Sequence, residues 1–465
     1  MKIKTVALVV VSMICGLVAG SAQAVPAGNN GRIVVMISLD GLAGYYIDDP
    51  RAEMTTLNAL AAAGARSSGM RVVAPSVTWP NHTTLVTGDW PARHGVVGNN
   101  YYDRAAGKRV VLISDPTYDK DQIVKVPTIY DLAFQNGLKT AALQWPASRN
   151  AKTLMWTWPD MKAGALRDMY TTPALKAECI KAGLWIEGSV DDPQEADKKP
   201  LPDENTTKIF NMILHEHRPN LALLHLSRVD HDEHQYGPKS PEAFIAVKAA
   251  DEEVRQVWEE LKRDFPGKAT LIIVSDHGFS LTHRMVLPNV ILRRAGLLDV
   301  KGIRVVKGEV ELVPQGGAAM IYILDEAKHD EIIATIRKAF AGVEGVEKVV
   351  GVDEFPKYGI ANPKDDPHAP DLMLFASEGY AFGDTAAGAL TYHEKPEKEG
   401  THGHDPDLPD LYATFVAWGD GIKAGVKLGE IQNTTVAPTI AKLLGISMPD
   451  VDGKPLDEIL APAQP

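Results

Sequence analysis

The sequence predicts an α/β fold built on a central, mostly parallel sheet flanked by helices. Two observations carry this. Apolar, β-branched runs of strand length recur along the chain with amphipathic helical stretches between them. Three of those runs lead into aspartates, as strands do when their carboxyl ends gather ligands. The first run, Arg32 to Leu39 (RIVVMISL), ends at Asp40-Gly41. A nearly unbroken apolar run of this length suits a strand covered on both faces. Asn220 to Leu226 (NLALLHL) leads to Asp230, Ala269 to Val274 (ATLIIV) leads to Asp276, and Tyr412 to Ala417 (YATFVA) is a fourth run. Helical patterns occupy Met54 to Ala63, Pro241 to Lys262 and Val436 to Leu444, the last preceded by Asn433-Thr434-Thr435, which can cap it.

Two stretches break the rhythm. Asp192 to Asn205 is charged and proline-containing and reads as a solvated loop. Val300 to Val352 holds short strand-like runs and a helical pattern at Glu331 to Phe340, the signature of a small inserted α+β subdomain at about residues 300–352. There is no internal repeat or low-complexity segment, so residues 25–460 read as one large domain with a frayed tail after Leu460.

Composition narrows the function. The chain has 465 residues, 45% of them hydrophobic, which supplies a buried core and argues against disorder. A net charge of -12 argues against a nucleic-acid polymer or an anionic membrane as partner. An acidic protein still binds an anionic small molecule when metal ions supply local positive charge. Residues 1–24 read as a signal peptide: Lys2 and Lys4, an apolar run from Val6 to about Val18, then Ser21-Ala22-Gln23-Ala24 with cleavage expected after Ala24. That implies export to the periplasm or beyond. No membrane anchor is expected, and Cys15 lacks a lipobox. Cys179 is then the lone cysteine, expected as a buried small hydrophobe rather than a nucleophile.

The candidate chemistry lies at the strand ends. Asp40, Asp230 and Asp276 are joined by His277, by His234 four residues after Asp230 on a helical turn, and by His402 between glycines. Mixed nitrogen and oxygen donors suit zinc better than calcium or magnesium. Six donors exceed one tetrahedral ion and suit two, about 4 Å apart, which can clamp both oxygens of an in-line displacement. The alternative is that they are separate caps, turn residues and core histidines. A second element is Pro75 to Gly88 (PSVTWPNHTTLVTG), whose Thr78 precedes Trp-Pro-Asn-His.

This segment resembles the nucleophile motif of the nucleotide pyrophosphatase/phosphodiesterase family, within the alkaline phosphatase superfamily. Further segments follow in family order: Ser38-Leu39-Asp40-Gly41, His94 to Asn99, Trp145-Pro146-Ala147-Ser148, Asp230 to Pro238, Ser275 to Gly278 and Gly400 to Gly403. Glu233 stands where the family usually has glycine, and His404 where it usually has tyrosine. The resemblance covers roughly residues 33–420. It implies an alkaline-phosphatase-like core, two zinc ions per chain and a covalent phospho-threonine on Thr78. One zinc would be held by Asp40, Asp276, His277 and Thr78, the other by Asp230, His234 and His402. Asn99, with the backbone of the nucleophile turn, would bind a phosphoryl oxygen. Trp79 would either stack on a flat leaving group or simply pack. His82 is expected to be a structural hydrogen-bonder, and His231, Asp232 and His404 not to be ligands.

The resemblance therefore implies a zinc-dependent hydrolase of diester or pyrophosphate bonds, with small nucleotide-type substrates. The rival within the superfamily is a monoesterase, whose relatives carry a Ser-x-Lys-x-Arg segment; Gln144 to Asn150 has no such pair. A phosphonate hydrolase, a one-metal hydrolase and a non-catalytic binding protein of the same fold are further alternatives. The leaving group and the oligomeric state are not encoded in any motif.

Overall fold

The computed structural model describes residues 31–113, 118–161, 164–185, 203–302 and 304–462. The expected signal peptide, most of the expected 192–205 loop and the last three residues lie outside them. An eight-stranded sheet forms the centre. Its strands in chain order are β1 (Ile33–Leu39), β2 (Ala65–Arg66), β3 (Thr140–Trp145), β4 (Trp156–Pro159), β5 (Leu221–Leu226), β6 (Ala269–Val274), β7 (Phe415–Gly419) and β8 (Val426–Lys427). Across the sheet the order is β8-β2-β7-β6-β1-β5-β3-β4. Only β7 runs antiparallel to its neighbours.

Along β1, Ile33, Val35, Ile37 and Leu39 point into one apolar layer, and Val34 and Met36 into the other. Helices Thr55–Ala63, Asp203–His217 and Pro241–Asp264 cover the first face. Helices Thr78–Thr87, Ile129–Gln135 and Val436–Leu444 cover the second. Ser240 caps the longest helix by accepting from the Ala243 N–H at 3.1 Å.

Most predicted elements lie within a residue or two of the observed ones. The last strand is displaced: it begins at Phe415, because Pro409–Leu411 forms a 3-10 turn that delays the extended backbone. The Asp203–His217 helix starts inside the stretch read as a loop, with Asp203 itself taking up the N–H groups of Ser227 and Arg228.

A second, antiparallel sheet has the order Val310–Gln315, Ala318–Ile323, Leu372–Ala376, Val346–Gly351. The window of about 300–352 contains three of these strands; Leu372–Ala376 lies downstream. Helix His329–Phe340 packs Ile332, Ile336 and Phe340 into the layer on one face. The other face meets Trp79, Val96 and Val97. A third, three-stranded sheet, not foreseen from sequence, pairs Ser280–Val286 with Gly379–Phe382 and Tyr392–Thr401. Its last strand delivers His402. No helix among the described residues is long and apolar enough to cross a membrane.

Cys179 is fully buried in the first layer, and burial pushes its thiol up to about 11. Its reaction with a thiol-specific reagent at pH 8 is therefore expected to be negligible in the native protein and rapid in denaturant; rapid native labelling would contradict this placement.

Candidate metal centre and nucleophile turn

β6, β1 and β5 are neighbours, parallel and in register to their ends, with Ser38 opposite Val274 and Leu39 opposite Leu226. Their carboxyl ends therefore emerge side by side, where open α/β sheets bind ligands. Asp40 leaves β1 and Asp276-His277 leave β6 two residues beyond Val274. After β5 the chain turns into helix Arg228–Tyr236, which presents Asp230 and His234 one turn apart. His402 enters from the third sheet.

The six side chains form two adjoining triads. In the first, His277 Nε2 lies 3.4 Å from Asp40 Oδ1 and 3.2 Å from Asp276 Oδ2. In the second, His402 Nε2 lies 3.2 Å from His234 Nε2 and 3.6 Å from Asp230 Oδ1, and His234 Nε2 lies 3.5 Å from Asp230 Oδ1. The His277 and His402 rings stack at 3.8 Å, joining the triads. His277 also falls within reach of Asp230 and His402, so it stands at the seam.

The histidine tautomers follow from their partners. The Nδ1 atoms of His234, His277 and His402 face the carbonyl oxygens of Gly400, Gly278 and Ser76 at 3.1, 3.2 and 3.0 Å. A carbonyl only accepts, so each Nδ1 carries a hydrogen, and a ring in its neutral form turns its Nε2 lone pair inward. Lone pairs then face lone pairs and carboxylate oxygens at 3.2–3.6 Å. Asp40 Oδ1, Asp230 Oδ1, Asp276 Oδ2 and His277 Nε2 are buried and make no hydrogen bond among the described residues. Such contacts repel unless a cation lies between them. Ligands held tetrahedrally at about 2.1 Å from zinc are about 3.4 Å apart, which matches these separations. The donor set and its spacing fit two metal ions.

The electrostatics agree. Burial, then the neighbouring Asp230, holds the Asp40 carboxyl well above the usual range. Burial and Asp40 do the same to Asp276. Burial, then His402, holds His277 far below the ordinary imidazole value. Burial and His234 lower His402 to about 4. Burial disfavours the charged form of both kinds of group, so the carboxyls are shifted up and the imidazoles down.

The turn that carries Thr78 lies between the triads. Thr78 opens helix Thr78–Thr87 and is 4% exposed. Two residues earlier, the Ser76 carbonyl takes the His402 N–H; one turn later, His82 Nδ1 sits 3.0 Å from the Thr78 carbonyl and 3.4 Å from Asp276 Oδ2. Asn81 braces the turn. Its Oδ1 accepts from the Val73 N–H at 2.8 Å, and its Nδ2 donates to the Val77 and Pro75 carbonyls at 2.8 and 3.2 Å. Asn99 Oδ1 accepts from the Trp79 N–H at 2.9 Å, which leaves its NH₂ group as a donor beside the turn. The Thr78 N–H, at the first position of the helix, has no intrahelical acceptor and adds to the anion-seeking helix end.

Two glycines make the close approaches possible. Gly41, at φ 74°, donates to Asp276 Oδ1 at 3.2 Å, and a Cβ there would lie 2.8 Å from the Phe279 ring. Gly403, at φ 99°, carries the backbone past His402 with 1.9 Å between its Cβ position and the Gln315 carbonyl. No other residue fits either position.

Trp79 is corrected to packing: it is 1% exposed within an apolar cluster and offers no free face for a base. His404 does not share the site. It is buried with Nε2 on the Tyr380 carbonyl at 2.8 Å; the strand ends at Thr401, and Gly403, at φ 99°, turns the backbone between the two histidines. Asp232 pairs with Arg228 at 3.5 Å.

Two residues of the site, His225 and Gln315, were not singled out from sequence. His225 faces Asp40 Oδ2 at 2.9 Å and the Gln144 carbonyl at 2.8 Å, fixing the carboxylate; a histidine in an otherwise apolar strand was the available signal. Gln315 receives the Asn99 N–H at 3.1 Å and donates to the Asn100 carbonyl at 2.6 Å, and nothing in its local sequence marks it. Glu233, where the family usually has glycine, is fully buried on the helix Arg228–Tyr236. His225→Ala is expected to weaken zinc binding at the Asp40 triad about 10–100-fold in a competitive chelator titration; unchanged affinity would show that Asp40 needs no such support.

Comparison with known proteins identifies the family. The type I phosphodiesterase / nucleotide pyrophosphatase family matches residues 34–405. An uncharacterized pyrophosphatase/phosphodiesterase of Schizosaccharomyces pombe is 27% identical over 429 residues, covering 89% of this chain and 77% of its own. Ectonucleotide pyrophosphatase/phosphodiesterase family member 7 of Rattus norvegicus is 24% identical over 428 residues, covering 91% and 85%. Family member 1 of Homo sapiens is 25% identical over 438 residues, but the match spans only 41% of that longer protein. Murine ectonucleotide pyrophosphatase / phosphodiesterase 5 shares the fold at a TM-score of 0.69 and 21% identity, over 92% of this chain and 100% of that one. An inactive form of the same murine protein, in complex with AMP, matches at the same TM-score. With the match spanning residues 34–405, the chain belongs to the type I phosphodiesterase / nucleotide pyrophosphatase family and is a hydrolase of that family.

Proposed function

We propose that the protein hydrolyses phosphodiester or pyrophosphate bonds of small, nucleotide-type substrates through a covalent phospho-threonine on Thr78. The observation that supports this reading is the pair of adjoining triads, lone pairs inward, on either side of the Thr78 turn. Asp40, Asp276, His277 and Thr78 would hold one zinc ion, and Asp230, His234 and His402 the other. When bound, the two ions supply positive charge that makes the threonine alkoxide and hydroxide accessible near neutral pH and offsets the charge on phosphoryl oxygens.

The chain's own residues do the rest. The deprotonated Thr78 oxygen attacks phosphorus, the P–O bond to the leaving group breaks, and the phosphoryl group passes to Thr78. Water then attacks phosphorus from the vacated side, the P–Oγ bond breaks and Thr78 is restored, with one water consumed per turnover. The Asn99 NH₂ group and the N–H of Thr78 aim at a non-bridging oxygen whose charge grows in each step, and they need no reorganisation to do so. Burial of the turn keeps its donors out of competition with bulk water.

A diester fits better than a monoester. The single cation of the Gln144 to Asn150 segment, Arg149, is engaged by Asp119 at 2.7 Å and lies over the Tyr170 ring, so no Lys–Arg pair meets the extra phosphate charge. The AMP complex of the murine relative favours a nucleotide moiety. A reaction in the periplasm or outside the cell would follow if residues 1–24 act as the expected signal peptide.

Thr78→Ala is expected to lower turnover about 10³-fold or more with zinc content unchanged; near-normal turnover would remove Thr78 from the chemistry. Comparing kcat/KM for bis-p-nitrophenyl phosphate, p-nitrophenyl thymidine monophosphate and p-nitrophenyl phosphate should rank the monoester last. A clear monoester preference would overturn the substrate assignment.

A further inference from the structure

Helix Arg228–Tyr236 holds two ligands of the second triad on one face and the fully buried Glu233 on another. Glu233 Oε1 accepts a 2.5 Å hydrogen bond from the Tyr46 hydroxyl. The Tyr46 oxygen in turn accepts from the Lys239 N–H at 2.8 Å, just past the end of the helix. Tyr46 is itself fully buried, in the turn Gly44–Asp48 that follows Asp40, and its ring meets Phe244 edge-on at 5.8 Å. One hydroxyl thus ties the segment that carries Asp40 to the helix that carries Asp230 and His234. The third side is closed by Gly400: its carbonyl takes the His234 N–H, and a Cβ on it would lie 2.5 Å from the Glu233 carbonyl oxygen.

A helix that only had to pack would be served by an apolar side chain here. Burying a carboxyl group is costly, and Glu233 Oε2 makes no hydrogen bond among the described residues. The anchored oxygen lies one residue from His234 in sequence, and its partner six residues beyond Asp40. We propose that Glu233 and Tyr46 are a positioning pair that fixes the helix of the second triad against the first, and so sets the affinity of the second metal site. This rests on the two-metal reading above.

The test is stepwise zinc binding to the metal-stripped full chain, followed by calorimetry and by the visible spectrum of the cobalt(II)-substituted protein. Tyr46→Phe deletes one oxygen and is expected to weaken the second equivalent about 10–100-fold while sparing the first, and to change the spectrum of the second cobalt only. Glu233→Gln keeps an acceptor for the hydroxyl and is expected to stay within about threefold of wild type. The inference is overturned if Tyr46→Phe binds both equivalents normally, or if Glu233→Gln weakens the second site as much as Tyr46→Phe does. A wild-type protein that takes up a single ion would instead overturn the two-metal reading, and this inference with it.

Discussion

Repulsion within a buried acidic and imidazole cluster is the constraint around which the centre of the molecule is arranged. Asp40 and Asp276 bring carboxyl oxygens within 4.8 Å of each other out of reach of solvent, and Asp230 adds a third carboxyl group beside them. One such pair costs roughly 3 kcal/mol or more at an effective dielectric of about 20. Among the described residues no lysine or arginine pairs with these carboxylates. Imidazoles surround them instead, each with Nδ1 on a backbone carbonyl and Nε2 turned toward the same small volume. Polar atoms that repel in isolation become a ligand shell once cations are added, and the geometry is paid for by the rest of the fold.

The rest of the fold does this through topology. Three adjacent parallel strands bring Asp40, the Asp230 helix and Asp276-His277 to one edge without long loops. The second sheet presses Trp79 into its apolar face, and Gln315 grips the backbone at Asn99 and Asn100. The third sheet supplies His402, whose N–H bonds the Ser76 carbonyl of the nucleophile turn. Outlying parts of the chain therefore act on the site by fixing short backbone segments, each through one or two hydrogen bonds.

The sequence made the strand ends and the clustered acidic and imidazole residues legible because both are local patterns. An apolar run followed by Asp-Gly or Ser-Asp-His-Gly announces itself within ten residues, and the Asp230–His234 spacing is one helical turn. The supporting residues were less visible because their meaning is non-local. His225 is one polar residue in the strand Leu221–Leu226, yet it touches Asp40, 185 residues away. Gln315 meets Asn99 across 216 residues. Trp79 stands in a motif next to the expected nucleophile, but the second sheet covers it, and that sheet's last-paired segment, Leu372–Ala376, carries no signal linking it to the motif. The third sheet was missed for the same reason: Ser280–Val286 is far in sequence from Gly379–Phe382 and Tyr392–Thr401, and it mixes buried with partly exposed positions, unlike the continuous apolar runs of the centre.

The measurement that tests the central claim most directly is the metal content of the purified, fully active chain, determined by mass spectrometry alongside hydrolysis of a nucleotide diester. Two zinc ions per chain, lost together with activity on chelation and regained with it on adding zinc, is the predicted result. A preparation that hydrolyses the diester at its full rate while free of metal would contradict the account at its root.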